Sequence, residues 1–272
     1  MDASLQMKQV VIIGNSGFIG RHIQSKVDYR NFATVGISSK FIDFKNSEEI
    51  QRISRTSTDL DLDIRNFLTK DTIVINAAWI ANDRVERNSN EHMEWANLEI
   101  SLIESAVAAD CRYVSLGSIA EINDEGISPS YGTVYSEAKN KIFSHLSNRC
   151  ENFLWIRIAS AFGKFDSRKW LITELLEHGE KLTLKNPNAV LNLSDVETIS
   201  SKIVEGALSD RCGSINLWSE QWMSLESIKK CFVDRRNPVL TPCNSKYFSE
   251  YDPDGLRVDS QSILEFFNSE VI

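Results

Sequence analysis

VVIIGNSGFIGR, Val10 to Arg21, runs four β-branched residues straight into three glycines spaced three apart. A short apolar run bounded by glycine reads as a buried strand, and RHIQSKVDY at 21–29 has apolar residues at helical spacing. The stretch is therefore a strand, a tight turn and a helix. At such a junction Gly14 permits the turn, Gly17 admits a pyrophosphate near backbone amides, and Gly20 lets the helix pack close to the sheet. Gly14, Asn15, Ser16, Gly17, Phe18, Ile19 and Gly20 form the candidate phosphate-binding segment. Glycines that serve helix–sheet packing alone are the alternative.

Downstream the rhythm repeats. ATVGI at 33–37, TIVINAAW at 72–79, CRYVSLGS at 111–118 and FLWIRIA at 153–159 read as strands. EHMEWANLEISLIESAVAA at 91–109, the stretch 134–147 and the stretch 169–176 read as helices. Alternation of this kind predicts an α/β fold, a doubly wound parallel sheet covered on both faces. LTLKN at 182–186, VLNLSDV at 190–196 and SINLW at 214–218 are too short to extend that rhythm. They predict a small interwoven C-terminal lobe: 1–163 as the main domain, 164–272 mostly a substrate lobe, with segments around 190–220 returning to the main domain.

Composition narrows the class. With 42% hydrophobic and 25% charged residues the chain is an ordinary globular protein, and 272 residues bury a substantial core. A net charge of -8 disfavours nonspecific nucleic-acid binding. Five scattered cysteines suggest neither a disulfide framework nor a zinc knuckle, and read as thiols in a reducing compartment. The four histidines, His22, His92, His145 and His178, show no zinc-ligand spacing, so no metal is expected; His22 reads as a plain helix residue. No apolar span of about 18 residues occurs, so no membrane association is expected and the cytoplasm is the expected location.

Two further stretches speak to the nucleotide. Asp63 closes DLDLD at 59–63 just before a proposed strand, where a carboxylate can accept a bond from an adenine amino group; a solvated loop is the other reading. ISSK at 37–40 has no acid at the end of the second strand. Ser38, Ser39 and Lys40 can accommodate a 2′-phosphate there, which tilts the cofactor from NAD toward NADP.

YSEAK at 135–139 places a phenol and an ammonium on one helix face. A neighbouring cation favours the phenolate and brings a tyrosine into the range of proton transfer. Ser118, just after a proposed strand, has a hydroxyl suited to orient a carbonyl or alcohol beside it.

With these residues in order, the chain resembles the short-chain dehydrogenase/reductase superfamily, in particular its extended branch of nucleotide-sugar epimerases, dehydratases and reductases. The likeness rests on GNSGFIG at 14–20, LDI at 62–64, NAAW at 76–79, Asn97, Ser118, YSEAK at 135–139, WIRIASAFG at 155–163 and LSDV at 193–196. It implies a Rossmann-like fold in which Ser118 positions the substrate oxygen, Tyr135 exchanges its proton, and Lys139 holds the nicotinamide ribose and lowers the tyrosine pKa. It also implies that Asp63 and Ile64 border the adenine, that Asn76, Ala77 and Ala78 line the cofactor cleft, and that Asn97 supports the active-site backbone. A homodimer through helices such as 91–109 and 133–147 is implied too, although their apolar faces can equally belong to the internal sheet.

Departures fall on the substrate side. LGSIAEIN at 116–123 replaces a serine-rich stretch, Ser160 stands where many relatives carry asparagine, and Trp218 where many carry glycine. Arg168, Lys169 and Arg257 are the candidates for diphosphate contact, and Trp79 and Trp218 for a sugar or base wall, with core packing the plainer role for either ring. Glu121, offset by three from Ser118, reads as surface or loop, which leaves no acidic pair for dehydration. The expected activity is NAD(P)H-dependent reduction of a keto group on a nucleotide-linked sugar, a 4-keto-6-deoxyhexose by size. A 4-epimerase with retained NAD and a noncatalytic dinucleotide-sensing module are the alternatives.

Overall fold

The computed structural model describes residues 8–29, 31–38, 41–45, 50–54, 64–79, 86–122, 132–166, 171–217, 221–234 and 241–242. Its main sheet has eight strands in the order β11-β7-β6-β5-β1-β2-β3-β4. These are β1 (Lys8–Ile13), β2 (Phe32–Ile37), β3 (Phe41–Lys45), β4 (Ile50–Ser54), β5 (Thr72–Asn76), β6 (Arg112–Ser118), β7 (Phe153–Ile158) and β11 (Gly213–Leu217). From β11 to β2 every neighbour is parallel, and β3 and β4 continue as an antiparallel meander. Because β1 lies between β2 and β5, the winding reverses at its carboxyl end, where ligands of open α/β sheets bind.

Side chains alternate across β1. Val11 and Ile13 pack with α2 (Glu91–Ala108) and α3 (Val134–Arg149), while Val10 and Ile12 pack with α1 (Phe18–Lys26) and α5 (Val196–Leu208). The apolar stripes of α2 and α3, including Ala96, Ile103, Ala138 and Ile142, are thus spent on the sheet. Positions facing out are polar, among them Glu94, Asn97, Lys141 and Ser144.

The returning segment closes the sheet. His22 and Lys26 of α1 both reach Glu197 of α5, at 2.6 and 2.5 Å. At the start of β6, buried Arg112 donates to the carbonyls of Gly206, Ala207 and Arg211 and to Asn152 Oδ1, capping the end of α5. Gly206 and Ala207 lie in the last turn of the helix, and a cation suits that end of the helix dipole.

The remaining elements form a smaller core. α4 (Leu171–His178) and α6 (Leu225–Asp234) pack Ile172, Leu175, Ile228 and Phe232 against Phe162 of β8 (Ser160–Phe162), Leu193 of β10 (Leu193–Asp195) and Met223 of β12 (Gln221–Ser224). β9 (Val190–Leu191), β12 and β13 (Thr241–Pro242) make a short antiparallel sheet. No strand forms at 182–186. Among the described residues no helix is long and apolar enough to cross a membrane. Four cysteines, Cys111, Cys150, Cys212 and Cys231, are free thiols.

Candidate functional site

The glycine turn is a backbone construction. Gly14 has φ of +82°, where a side chain is strained, and a Cβ there would lie 2.8 Å from the Ala78 backbone. A Cβ on Gly20 would lie 2.0 Å from the Gly14 carbonyl oxygen, so α1 can approach the turn this closely only with glycine. Gly14 N donates to Ile37 O at 2.7 Å and Ala77 N to Ile13 O at 2.9 Å, which draws the ends of three strands together. α1 begins at Gly17 with no side-chain cap and no acid in its first turn, so its first N–H groups suit an anion. Ser16 and Gly17 are exposed there, while the buried Asn15 side chain donates to Gln24. Phe18 and Ile19 pack toward the core beneath the turn.

The other cofactor candidates are placed unevenly. The Ser38 hydroxyl both donates to Phe41 O and accepts from Phe41 N in the turn from β2 to β3. Ile64 is wholly buried in the core, so any part it has in ligand contact falls to its backbone. Asn76 Oδ1 accepts from Ala78 N, closing a small turn at the end of β5. Ser39, Lys40 and Asp63 lie outside the described residues, as do Arg168, Lys169, Trp218 and Arg257.

α3 presents Tyr135 and Lys139, both buried. Thr133 caps the helix through Ser136 N, and the segment 86–90 adds to that cap: the Arg87 carbonyl accepts from Tyr135 N at 2.9 Å and the Asn88 side-chain Oδ1 from Val134 N. Lys139 Nζ donates to Leu116 O of β6 at 2.8 Å and stands 3.7 Å from the centre of the Trp79 ring. Tyr135 meets Trp79 and His92 edge-on, and the two latter rings stack. The guanidinium carbon of Arg87 lies 4.2 Å from the centre of the Tyr135 ring.

Ser118 ends β6, and α3 packs on the short helical turn that follows it. Its hydroxyl oxygen accepts from Ala120 N at 3.2 Å, which leaves its own proton to be donated elsewhere. Glu121 completes the arrangement and corrects the surface reading: its carboxylate is buried. One oxygen accepts from Ser118 N; the other accepts from Trp155 Nε1 at 2.8 Å and Arg157 Nε at 2.9 Å. Burial raises its pKa, with Arg157 opposing. The spacing S-x-x-E, a reciprocal capping box, was the available signal.

Asn97 also differs from the role the resemblance implies, since it is exposed on α2 and accepts from Lys141 Nζ. The inward position is Glu99, three residues from both Ala96 and Leu102 on the buried stripe. Its carboxyl is bonded by Ser115 Oγ and Asn76, and burial raises its pKa against the pull of Lys139. His22, expected as a plain helix residue, is buried and bridges Glu197 and Lys164 O, fastening the loop after β8 to α1. Ser160, half-buried in β8, donates its backbone N–H to Asn192 O. His178 joins Glu174 and Glu177 in a group on the face of α4.

The profile of the NAD dependent epimerase/dehydratase family matches residues 10–196. A search of curated protein sequences returned no match. Among solved structures, the chain is similar to dTDP-4-dehydrorhamnose reductase from Bacillus anthracis in complex with NADP, at TM-score 0.70 and 11% identity, over 98% of this chain and 100% of that one. It is similar to UDP-N-acetylglucosamine 4-epimerase from Methanobrevibacter ruminantium in complex with UDP-N-acetylmuramic acid, at TM-score 0.70 and 14% identity, over 98% of each chain. A third similar structure is the Bordetella bronchiseptica enzyme WbmH in complex with NAD+, at TM-score 0.64 and 14% identity, over 96% of this chain and 92% of that one.

Proposed function

The chain belongs to the NAD dependent epimerase/dehydratase family, as an NAD(P)-dependent oxidoreductase or epimerase, and on that footing we propose that it reduces a keto group on a nucleotide-linked sugar, a 4-keto-6-deoxyhexose. The observation that carries the reading is the bond from Lys139 Nζ to Leu116 O, which ties the helix bearing Tyr135 and Lys139 to the strand that ends two residues later in Ser118.

The turn at 14–20, with its uncapped helix start, fits a dinucleotide, and Asn76, Ala77 and Ala78 border the same edge. NADP is the proposed cofactor, with Ser39 and Lys40 as the residues for its 2′-phosphate, since the Ser38 hydroxyl is engaged in its own turn. When bound, NAD(P)H supplies the hydride. Tyr135 donates the phenolic proton to the substrate oxygen, and the Ser118 proton steadies the charge that develops on it. Lys139, four residues on along the same helix, is proposed to hold the nicotinamide ribose. Trp79, Ser160 and Trp218 are proposed to line the sugar, and Arg168, Lys169 and Arg257 to meet the diphosphate. A cytoplasmic homodimer is the proposed state.

The test is to follow NADPH and NADH absorbance with a panel of nucleotide-linked 4-keto-6-deoxysugars, using Tyr135→Phe as the control. Cofactor consumption that falls by about 10²–10⁴-fold in the variant supports the reading. Sugar interconversion without cofactor consumption would replace it with an epimerase, and inactivity in both assays with cofactor bound would leave a noncatalytic dinucleotide module.

A further inference from the structure

We propose that Arg87 is a substrate contact that binds an anionic oxygen of the sugar nucleotide beside the reacting centre; this rests on the nucleotide-sugar reading above. Arg87 is exposed, yet its place is not that of an ordinary surface cation. Its carbonyl accepts from Tyr135 N, so the main chain at 87 is fixed to the first turn of α3. Its guanidinium lies 4.2 Å from the centre of the Tyr135 ring, and no carboxylate pairs with it among the described residues. In a chain of net charge -8, an arginine anchored at the proton donor without an acid is a cation available to a ligand.

The neighbouring rings supply a second observation. His92 is 2% exposed, and its Nε2 sits 3.1 Å from Glu86 O, a group that only accepts. Nε2 therefore carries the proton and donates. Burial lowers the pKa of the ring, which leaves Nδ1 a bare acceptor, and that atom has no partner. Trp79 Nε1, on the ring stacked against it, is a buried donor that also has none. Unmet polar groups of both kinds and an unpaired guanidinium therefore surround one tyrosine. Stability alone does not favour such a set, whereas a ligand bearing hydroxyls and an anionic group answers it.

Two groups on a nucleotide sugar have this chemistry: the diphosphate and a carboxylate on the sugar itself. Calorimetric titration of the NADP-loaded protein with UDP-glucose, dTDP-glucose and UDP-glucuronate separates them, using Arg87→Met and Arg87→Lys beside the wild type. Arg87→Met is expected to bind roughly tenfold or more weakly, with Arg87→Lys recovering part of the loss, while the melting temperature and NADP affinity stay unchanged. A loss equal for glucose and glucuronate assigns the diphosphate, and a loss confined to glucuronate assigns the carboxylate. Arg87→Met binding as tightly as the wild type would overturn the assignment and leave the nucleotide-sugar reading standing. A weakened variant that also melts early or loses NADP would overturn it as a structural effect. Wild type that binds none of the three would remove the nucleotide-sugar reading and this inference together.

Discussion

The two ends of the ligand edge are built from opposite materials. At the β1 end the site is main chain and missing side chains: Gly14 turns, Gly20 clears a path for α1, and backbone N–H groups hold the strand ends together. At the β6 end it is buried ionisable side chains, with Lys139 held by a carbonyl, Glu121 shared between Ser118, Trp155 and Arg157, and Glu99 sunk beneath Asn76 and Ser115. A backbone site tolerates changes of charge and fails on added volume. A site of buried charges tolerates modest volume changes and fails when one member of a pair is lost.

Arg157→Met gives the largest contrast. It leaves the Glu121 carboxylate buried without its cation and is expected to cost about 3–5 kcal/mol in chemical unfolding, as breaking a buried pair does. Adding Glu121→Gln should restore most of that, and a double variant no more stable than the single one would show that the pair is not the coupling unit. Gly20→Ala follows at about 1–3 kcal/mol, the range for overpacking, with weakened NADP binding read by fluorescence titration. Unchanged binding would mean that α1 can move away from the turn at no cost to the ligand.

The third contrast is pH. Glu99 has its carboxyl pKa raised in the fold, so the folded protein holds that proton where the unfolded chain has released it. Stability from this group is therefore present below the ordinary carboxyl value and falls as pH rises through the raised one. Glu99→Gln should flatten the decline in urea midpoints measured across that range; a parallel slope in the variant would relocate the proton. Smallest is Glu104, half-exposed on α2, whose pKa is lowered to about 2 by Arg149 and His145 of α3. Its stabilisation is present above the ordinary value of 4.5 and lost as pH falls toward about 2. Glu104→Gln should remove that acid-side loss in melting curves at low salt and show little at high salt, because exposed pairs are screened.

Legibility in the sequence divides along the same line. A glycine turn is local, so spacing reveals it, and the main strands and helices up to about residue 178 follow from periodicity within a few residues of their observed ends, whereas the helix Val196–Leu208 and the edge strand Gly213–Leu217 were not among them. The β3–β4 meander escaped because FIDFK and IQRIS are short runs of mixed polarity, with no long apolar stretch to mark them. Glu121 and Glu99 were hidden for another reason. Their partners Arg157, Trp155, Asn76 and Ser115 lie on other elements, so a buried acid in sequence looks like a solvated one until the chain is folded. Even so, Glu99 sits on the apolar stripe of its helix and Ser118 with Glu121 spells a capping box, two local signs of an acid that is not solvated.

Arg112 adds a constraint in time. On a growing chain, β6 emerges 94–99 residues before the carbonyls of Gly206, Ala207 and Arg211 that its guanidinium will cap, and β7 awaits β11 as its outer neighbour. The sheet that carries Ser118 therefore acquires its outer strand β11 and the helix α5 only after those later segments have been made. Contacts of such sequence separation slow folding, and until they form the nascent sheet presents an open strand edge that a chaperone or a second nascent chain can engage.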